Sequence, residues 1–313
     1  MLVRQDGAVR EAPLEDLSEL RGLVCWVDIA DPEDEDLMTV AKELGLHPLA
    51  LEDARERSER PKIDRYEAHG FLVFYAIDAP EPDLVKTQPV SIFVAPNALV
   101  TVHTGPLGAA ADLERRFREG RLETVSTLLH ALLDALVDRY FPVVDAFGDR
   151  VDFLESLIVD DAAGRGLQTS LRELFLLKRE LVRLRQVIAP EREVLAVLAR
   201  DDLPGLEGGR AAYFQDVYDH VVRVTDEIDT FRDLTSNVID AHLAAASNRL
   251  NEVVKVLTSV ATVLLVMTLI TGFFGMNFEA IPFGSETLFW TALGVLGASA
   301  VALAVYFRRQ GWL

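Results

Sequence analysis

Apolar positions between residues 210 and 271 follow two patterns in turn, within a stretch that contains neither glycine nor proline. Over 216–240, Val217, Val221, Val224, Ile228, Phe231 and Val238 recur about every 3.5 residues among charged neighbours, the spacing of a helix with one buried seam. After Lys255 the charges stop. Residues 256–276 form 21 positions without an ionisable side chain, close to the ~20 that cross the hydrocarbon core of a bilayer. The pattern predicts one uninterrupted helix, a soluble stalk that becomes a membrane span. The competing reading is a long coiled coil whose apolar end is buried in protein.

A second uncharged stretch of 21 residues covers 287–307, with Trp290 near one end and Tyr306 near the other, where interfacial aromatic anchors belong. The connection, 277–286, holds Glu279 and Glu286 but no Lys or Arg, whereas Arg249, Lys255, Arg308 and Arg309 stand beyond the other ends of the spans. The positive-inside rule then puts both termini in the cytoplasm and the connection outside, in a cell (inner) membrane crossed twice.

Upstream, the periodicities are those of a soluble body. Strands are predicted at 23–29 and 71–77, a helix over 32–44 with an acidic first turn, and a β-hairpin from 90–94 and 99–102 about Ala95-Pro96-Asn97-Ala98. Over 122–209 the pattern turns helical. A leucine-rich helix at 122–140 is followed by one from Pro142 to about residue 161, a turn at Gly164-Arg165-Gly166, and an antiparallel partner at 170–188. A last piece, to about residue 200, precedes the Gly- and Pro-rich linker.

The chain therefore reads as an α+β membrane protein in seven parts. An N-terminal α/β cytoplasmic domain (1–121, strand order open) and a helical hairpin (122–209) precede the stalk helix (210–255). That helix continues into the first span (256–276), then come the outer loop (277–286), the second span (287–307) and a basic tail (308–313).

Charge narrows the function classes. A net charge of −19 excludes a nucleic-acid partner, which demands Lys and Arg, and it suits either a protein that handles cations or a plain solvated acidic surface. The lone Cys25, in an apolar run, is a core residue and forms no internal disulfide. Residues 1–6 carry no apolar h-region, so no signal peptide is expected. The six histidines show no H-E-x-x-H spacing, and neither a nucleophile elbow nor a P-loop is present. An enzyme is not expected, nor an organic cofactor.

Within the first predicted span, Asn251, Val254, Thr258, Ala261, Leu265, Thr268 and Gly272 fall on one stripe at alternating steps of three and four. On composition alone the stripe reads as a helix-packing face in preference to a pore wall, because Gly, Ala and Thr suit close packing. Two spans cannot enclose a path, so conduction requires several copies in a ring. No carboxylate or basic side chain lies in either span, which speaks against a proton relay and for an ion that keeps much of its hydration shell.

Thr271-Gly272-Phe273-Phe274-Gly275-Met276-Asn277-Phe278-Glu279 resembles the signature loop of the CorA family of magnesium transporters, whose hallmark is Gly-Met-Asn at the outer end of the first of two C-terminal spans. The resemblance continues through 251–258, through 213–220 with its Asp216 and His220, through His47-Pro48-Leu49-Ala50-Leu51-Glu52-Asp53 and Arg60-Pro61-Lys62, and to Trp312-Leu313. It covers nearly the whole chain.

The resemblance implies a homopentamer with a funnel-shaped cytoplasmic domain, in contact with membrane lipid. It implies an outer selectivity ring of Gly275, Met276 and Asn277, and a pore lined by Asn251, Val254, Leu257, Ala261, Leu265, Thr268 and Gly272. That set nearly coincides with the stripe and turns its reading from packing to pore. Mg²⁺ is implied as cargo, with Co²⁺ or Ni²⁺ as further candidates. Mg²⁺ is also implied as a regulator that closes the channel from acidic inter-subunit sites, Glu52 and Asp53 on one side, Asp216 with Asp134 on the other. Arg308 and Arg309 form the cytoplasmic basic end.

This chain departs from many relatives in having Phe274 for Tyr, Val266 for Pro and Leu265 for Met, and its tail is less rich in lysine. A zinc transporter of the same superfamily and a membrane-tethered, non-conducting scaffold or sensor stand as alternatives.

Overall fold

The computed structural model describes residues 1–5, 7–31, 33, 35–56, 60–81, 84–160, 167–200, 203, 206, 211–276 and 285–312. Contacts divide the chain into two compact units, Met1–Asn237 and Val238–Leu313.

The first unit is built on a seven-stranded sheet of β1 (Leu2–Gln5), β2 (Ala8–Glu11), β3 (Val24–Ile29), β4 (Lys62–Arg65), β5 (Gly70–Glu81), β6 (Leu84–Val94) and β7 (Ala98–Val102), in the order β2-β1-β3-β7-β6-β5-β4. Pairing is antiparallel except between β3 and β7. The expected hairpin is there: β6 and β7 pair Val94 with Leu99 across the Ala95–Ala98 turn. Strand β5 extends beyond the apolar run that announced it. The strands β1, β2 and β4 were not expected; each has only four residues, too few to show a clear alternation.

Successive strand residues serve opposite faces. On β5, Leu72 and Phe74 join one core, and Phe71 and Val73 the other. The second core is closed by α1 (Glu35–Leu44) and α2 (Pro48–Arg55), the latter started by Pro48 with the His47 ring accepting from the Leu49 N–H. The first core is closed by α3 (Gly108–Arg118), α4 (Val125–Asp138), α5 (Tyr140–Asp160), α6 (Leu167–Ile188) and α7 (Glu191–Leu198). A capping box between Thr124 and Thr127 starts α4, and its buried Leu128, Leu129, Leu132, Leu133, Leu136 and Val137 fill that core. The turn expected at Gly164-Arg165-Gly166 and most of the 201–209 linker lie outside the described residues.

A single helix, α8, runs Ala211–Phe274 without interruption, roughly 95 Å at 1.5 Å per residue. Of the seam read from spacing, Val217, Val221, Val224 and Ile228 are fully buried on it, Val238 is nearly so and Phe231 half-buried, and Phe214 extends the seam by one turn. From Asp240 to Thr258 nearly every α8 position is exposed. The second unit consists of the remainder of α8 and α9 (Glu286–Arg309). Both helices are long and apolar enough to cross a membrane, and almost no residue of their most apolar 18-residue windows is buried by the protein itself.

Candidate functional site

The predicted chemistry falls in two places, the apolar helix pair and an acidic cluster on the body.

In the helix pair, α9 covers one side of α8 only. Ile270, Thr271 and Phe274 of α8 line a small cavity with Phe289, Ala292, Leu293 and Leu296 of α9, so the helices are antiparallel. On α8 the residues with reduced exposure are Thr262, Val263, Val266, Met267, Ile270 and Phe274, and Ser259 is fully buried. At about 100° per residue that face is centred opposite Ala261 and Thr268. The stripe lies on the other side: Asn251, Val254, Leu257, Thr258, Ala261, Leu265, Thr268 and Gly272 are all exposed. A groove of about 700 Å³ runs along its C-terminal end, lined by Leu265, Thr268, Leu269, Gly272, Phe273 and Met276. Contact with α9 thus falls on the side of α8 that carries Ser259, Val263, Val266, Ile270 and Phe274, and the stripe is left bare.

Hydroxyls on α8 are turned to its own backbone. Thr268 donates to the Leu264 carbonyl at 2.8 Å and Thr271 to Met267 at 3.0 Å. The helix ends as the Gly275 N–H donates to Thr271 O at 2.9 Å and Gly272 O at 3.2 Å, and that of Met276 to Phe273 O at 3.3 Å. Its last carbonyls concentrate partial negative charge there, which favours a cation. Gly275 and Met276 close this end, and Asn277 lies outside the described residues. At the opposite end, counting back the same number of residues from Phe274 and from Phe289 brings Lys255 level with Arg308, so the basic residues share a level.

On the body, α4 and α8 bring Asp134, Asp138 and His220 together, with potential ligand atoms within 4.8 Å of one another. Among the described residues this is the one such group of three or more. Burial and then the Asp134 charge raise the Asp138 carboxyl above its usual range, Asp216 adding to the effect while His220 and Arg116 oppose it. The His220 ring meets the Phe141 ring edge-on with centroids 5.8 Å apart, and its Nδ1 is buried without a hydrogen-bond partner.

Two carboxylates suit hard Mg²⁺, and the imidazole suits Co²⁺, Ni²⁺ or Zn²⁺. Asp134 and Asp216 were expected here. Asp138 and His220 were not, although each stands four residues on from an expected acid and hence one helical turn away on the same face.

Glu52 and Asp53, on α2, do not join this group. Asp53 instead forms an ion pair with Lys62 at 2.9 Å, and Lys62 lies 3.8 Å from Asp64.

A family profile described as CorA-like Mg²⁺ transporter protein matches residues 22–309, which take in the sheet, the long helix and both apolar helices. The chain belongs to this family. The cobalt/magnesium transport protein CorA of Thermotoga maritima is 36% identical over 301 residues, covering 92% of this chain and 83% of its own. The putative metal ion transporter YfjQ of Bacillus subtilis is 30% identical over 312 residues, 97% of this chain and 94% of its own. Among solved structures, the complete CorA magnesium transporter from Methanocaldococcus jannaschii matches with a TM-score of 0.77 and 24% identity, over 92% of this chain and 91% of that one. That likeness establishes the fold: a sheet domain, a long helix and two apolar C-terminal helices. The CorA-like family is one of transporters rather than enzymes, and with its two apolar helices the chain is a membrane protein.

Proposed function

We propose that this chain is one subunit of a channel-like transporter that takes up Mg²⁺, and also Co²⁺ or Ni²⁺, through a pore on the axis of a homopentamer. The observation that carries the reading is the bare stripe of α8 opposite the α9 contact. A face that holds Thr258, Thr268 and Gly272, and that its own partner helix leaves open, has water or another copy as its natural neighbour. Residues 256–276 and 287–307 are the bilayer-embedded parts in this reading. The shared level of Lys255 and Arg308 supports an inner-membrane topology with both termini cytoplasmic.

Gly275, Met276 and Asn277 form the outer ring, where an amide oxygen and backbone carbonyls meet an ion that retains its waters. Asn251, Val254, Leu257, Ala261 and Leu265 line the path below. On the body, Asp134, Asp138, Asp216 and His220 of one subunit face Glu52 and Asp53 of the next. Mg²⁺ bridging the two sides draws the ring closed, and its loss leaves like charges to repel.

The test is uptake into proteoliposomes with an inside-negative potential, comparing Mg²⁺ with Zn²⁺, for the wild type and Asn277→Ala. Mg²⁺ influx that falls to the protein-free level in Asn277→Ala supports the reading. Zn²⁺ influx alone gives the site to a zinc transporter. No influx of either ion, with Asn277→Ala indistinguishable from wild type, leaves a non-conducting scaffold.

A further inference from the structure

Glu191, the first residue of α7, is fully buried in the apolar core between the sheet and the helices. Its Oε1 accepts from the Tyr75 N–H of β5 at 3.0 Å and lies 3.0 Å from the Tyr140 hydroxyl at the start of α5. The same hydroxyl donates to the Tyr75 carbonyl at 2.5 Å. Tyr140 has one hydroxyl hydrogen and two oxygens to satisfy. The shorter contact takes it, since a hydroxyl and a carbonyl oxygen at that distance repel without a proton between them. The second contact then needs a proton of its own, and only the carboxyl can supply one.

Among the described residues, no cation offsets a charge at this position. Among the described residues, Tyr140 is the one titratable side chain that interacts with Glu191. The cations of the elements packed on α7 are engaged elsewhere or exposed. Lys62 of β4 pairs with Asp53 and Asp64, Arg65 is exposed, Arg185 of α6 pairs with Asp229, and Arg192 of α7 itself lies over the Tyr218 ring. Glu191 Oε2 is buried with no hydrogen-bond partner, a position a carbonyl-like oxygen tolerates far better than a charged one.

We propose that Glu191 is a proton-binding site of the N-terminal body: the neutral acid, donating to Tyr140 and accepting from Tyr75, clamps α5 and α7 onto β5, and loss of its proton releases the clamp. This stands apart from the transport reading. Burial, the largest cause, holds the carboxyl well above its ordinary range, and the hydrogen bond from the Tyr75 N–H only partly counters it. The sign follows. A folded-state pKa above the unfolded value gives stability that is complete below about pH 4.3 and is lost as pH rises through the folded pKa. In that window one proton is taken up on folding, so the folding equilibrium constant falls tenfold per pH unit.

The experiment uses the full chain in detergent micelles and has two readouts. Infrared spectra of the wild type should keep a protonated-carboxyl C=O band at pH 8 that is absent in Glu191→Gln. The unfolding midpoint of the wild type should fall with rising pH between 5 and 8 more steeply than that of Glu191→Gln, by one proton per molecule. Should Glu191→Gln fail to fold, Tyr140→Phe provides the comparison. It should retain the band at a higher frequency, its hydrogen bond to Tyr140 lost, and retain the wild-type pH slope. Equal slopes for wild type and Glu191→Gln, or a wild-type spectrum at pH 8 without the band, overturn the proposal.

Discussion

The two units of this chain use apolar side chains in opposite ways. In the body, Phe71, Phe74, Phe93, Leu132 and Ile228 are all completely buried, and the charges lie outside. In the helix pair, Leu265 and Leu269 are about 70% exposed, and no carboxylate or basic residue occurs within either uncharged stretch. Burial in the first case removes apolar area from water at roughly 25 cal/mol per Å². In the second, lipid already solvates the same groups, so packing is set by fit and by polar groups. The difference teaches where each kind of chemistry can sit. Carboxylates that capture a metal belong to the water-facing body, and the spans have only dipoles and hydroxyls to offer.

The sharpest way to break this comparison is to place one charge on each side of α8. Thr268→Arg, on the bare stripe, should reduce Mg²⁺ uptake to that of protein-free liposomes while the protein still accumulates in the membrane. Ile270→Arg, on the side packed against α9, should cost about 2.5–3.5 kcal/mol of insertion and lower the amount of protein recovered. Identical behaviour of the two variants would erase the distinction between the faces.

Next in size is a matched pair of leucine truncations. Leu132→Ala in the body should lower the free energy of unfolding by about 2–5 kcal/mol. Leu269→Ala in the helix pair should leave denaturant unfolding of the body unchanged. Tryptophan fluorescence of the full chain in detergent reads both.

The candidate metal cluster gives a smaller, pH-linked effect. Because the folded-state pKa of Asp138 is raised, its stabilising contribution is complete below the unfolded carboxylate value and is lost as pH rises through the folded one. At neutral pH without metal, Asp138→Asn should therefore raise the unfolding midpoint. With Mg²⁺ the order changes. Stabilisation of the wild type, about 2.7 kcal/mol at a hundredfold excess over Kd, should shrink in the variant, and differential scanning fluorimetry with and without EDTA measures it. The smallest change is Lys62→Gln, which removes the Asp53 ion pair. Its cost to stability should be about 0–1 kcal/mol, while Mg²⁺ protection against protease should extend to lower concentrations as Asp53 loses its competing cation.

Much of this was legible before any coordinates. The α8 seam was predicted from Val217, Val221, Val224 and Ile228 because a 3.5-residue spacing on a helix admits one buried face. Two uncharged stretches of 21 residues pointed to α8 and α9 as the helices long and apolar enough to cross a membrane, because bilayer thickness sets a minimum length. Asp138 and His220 were missed because an acid and a histidine on two exposed helical turns look like any solvated face until another helix is laid against them.

Local rules thus determined the elements, the spans and the family signature, since periodicity, charge and short motifs act over a few residues. Only the tertiary structure decided which side of α8 receives α9 and which pair of helices assembles Asp134, Asp138 and His220. It also decided that Glu191 is sealed against Tyr140 and Tyr75, residues 51 and 116 positions away along the chain. Such placements depend on contacts between distant segments, and neither residue type nor spacing encodes which buried surface a given side chain will meet.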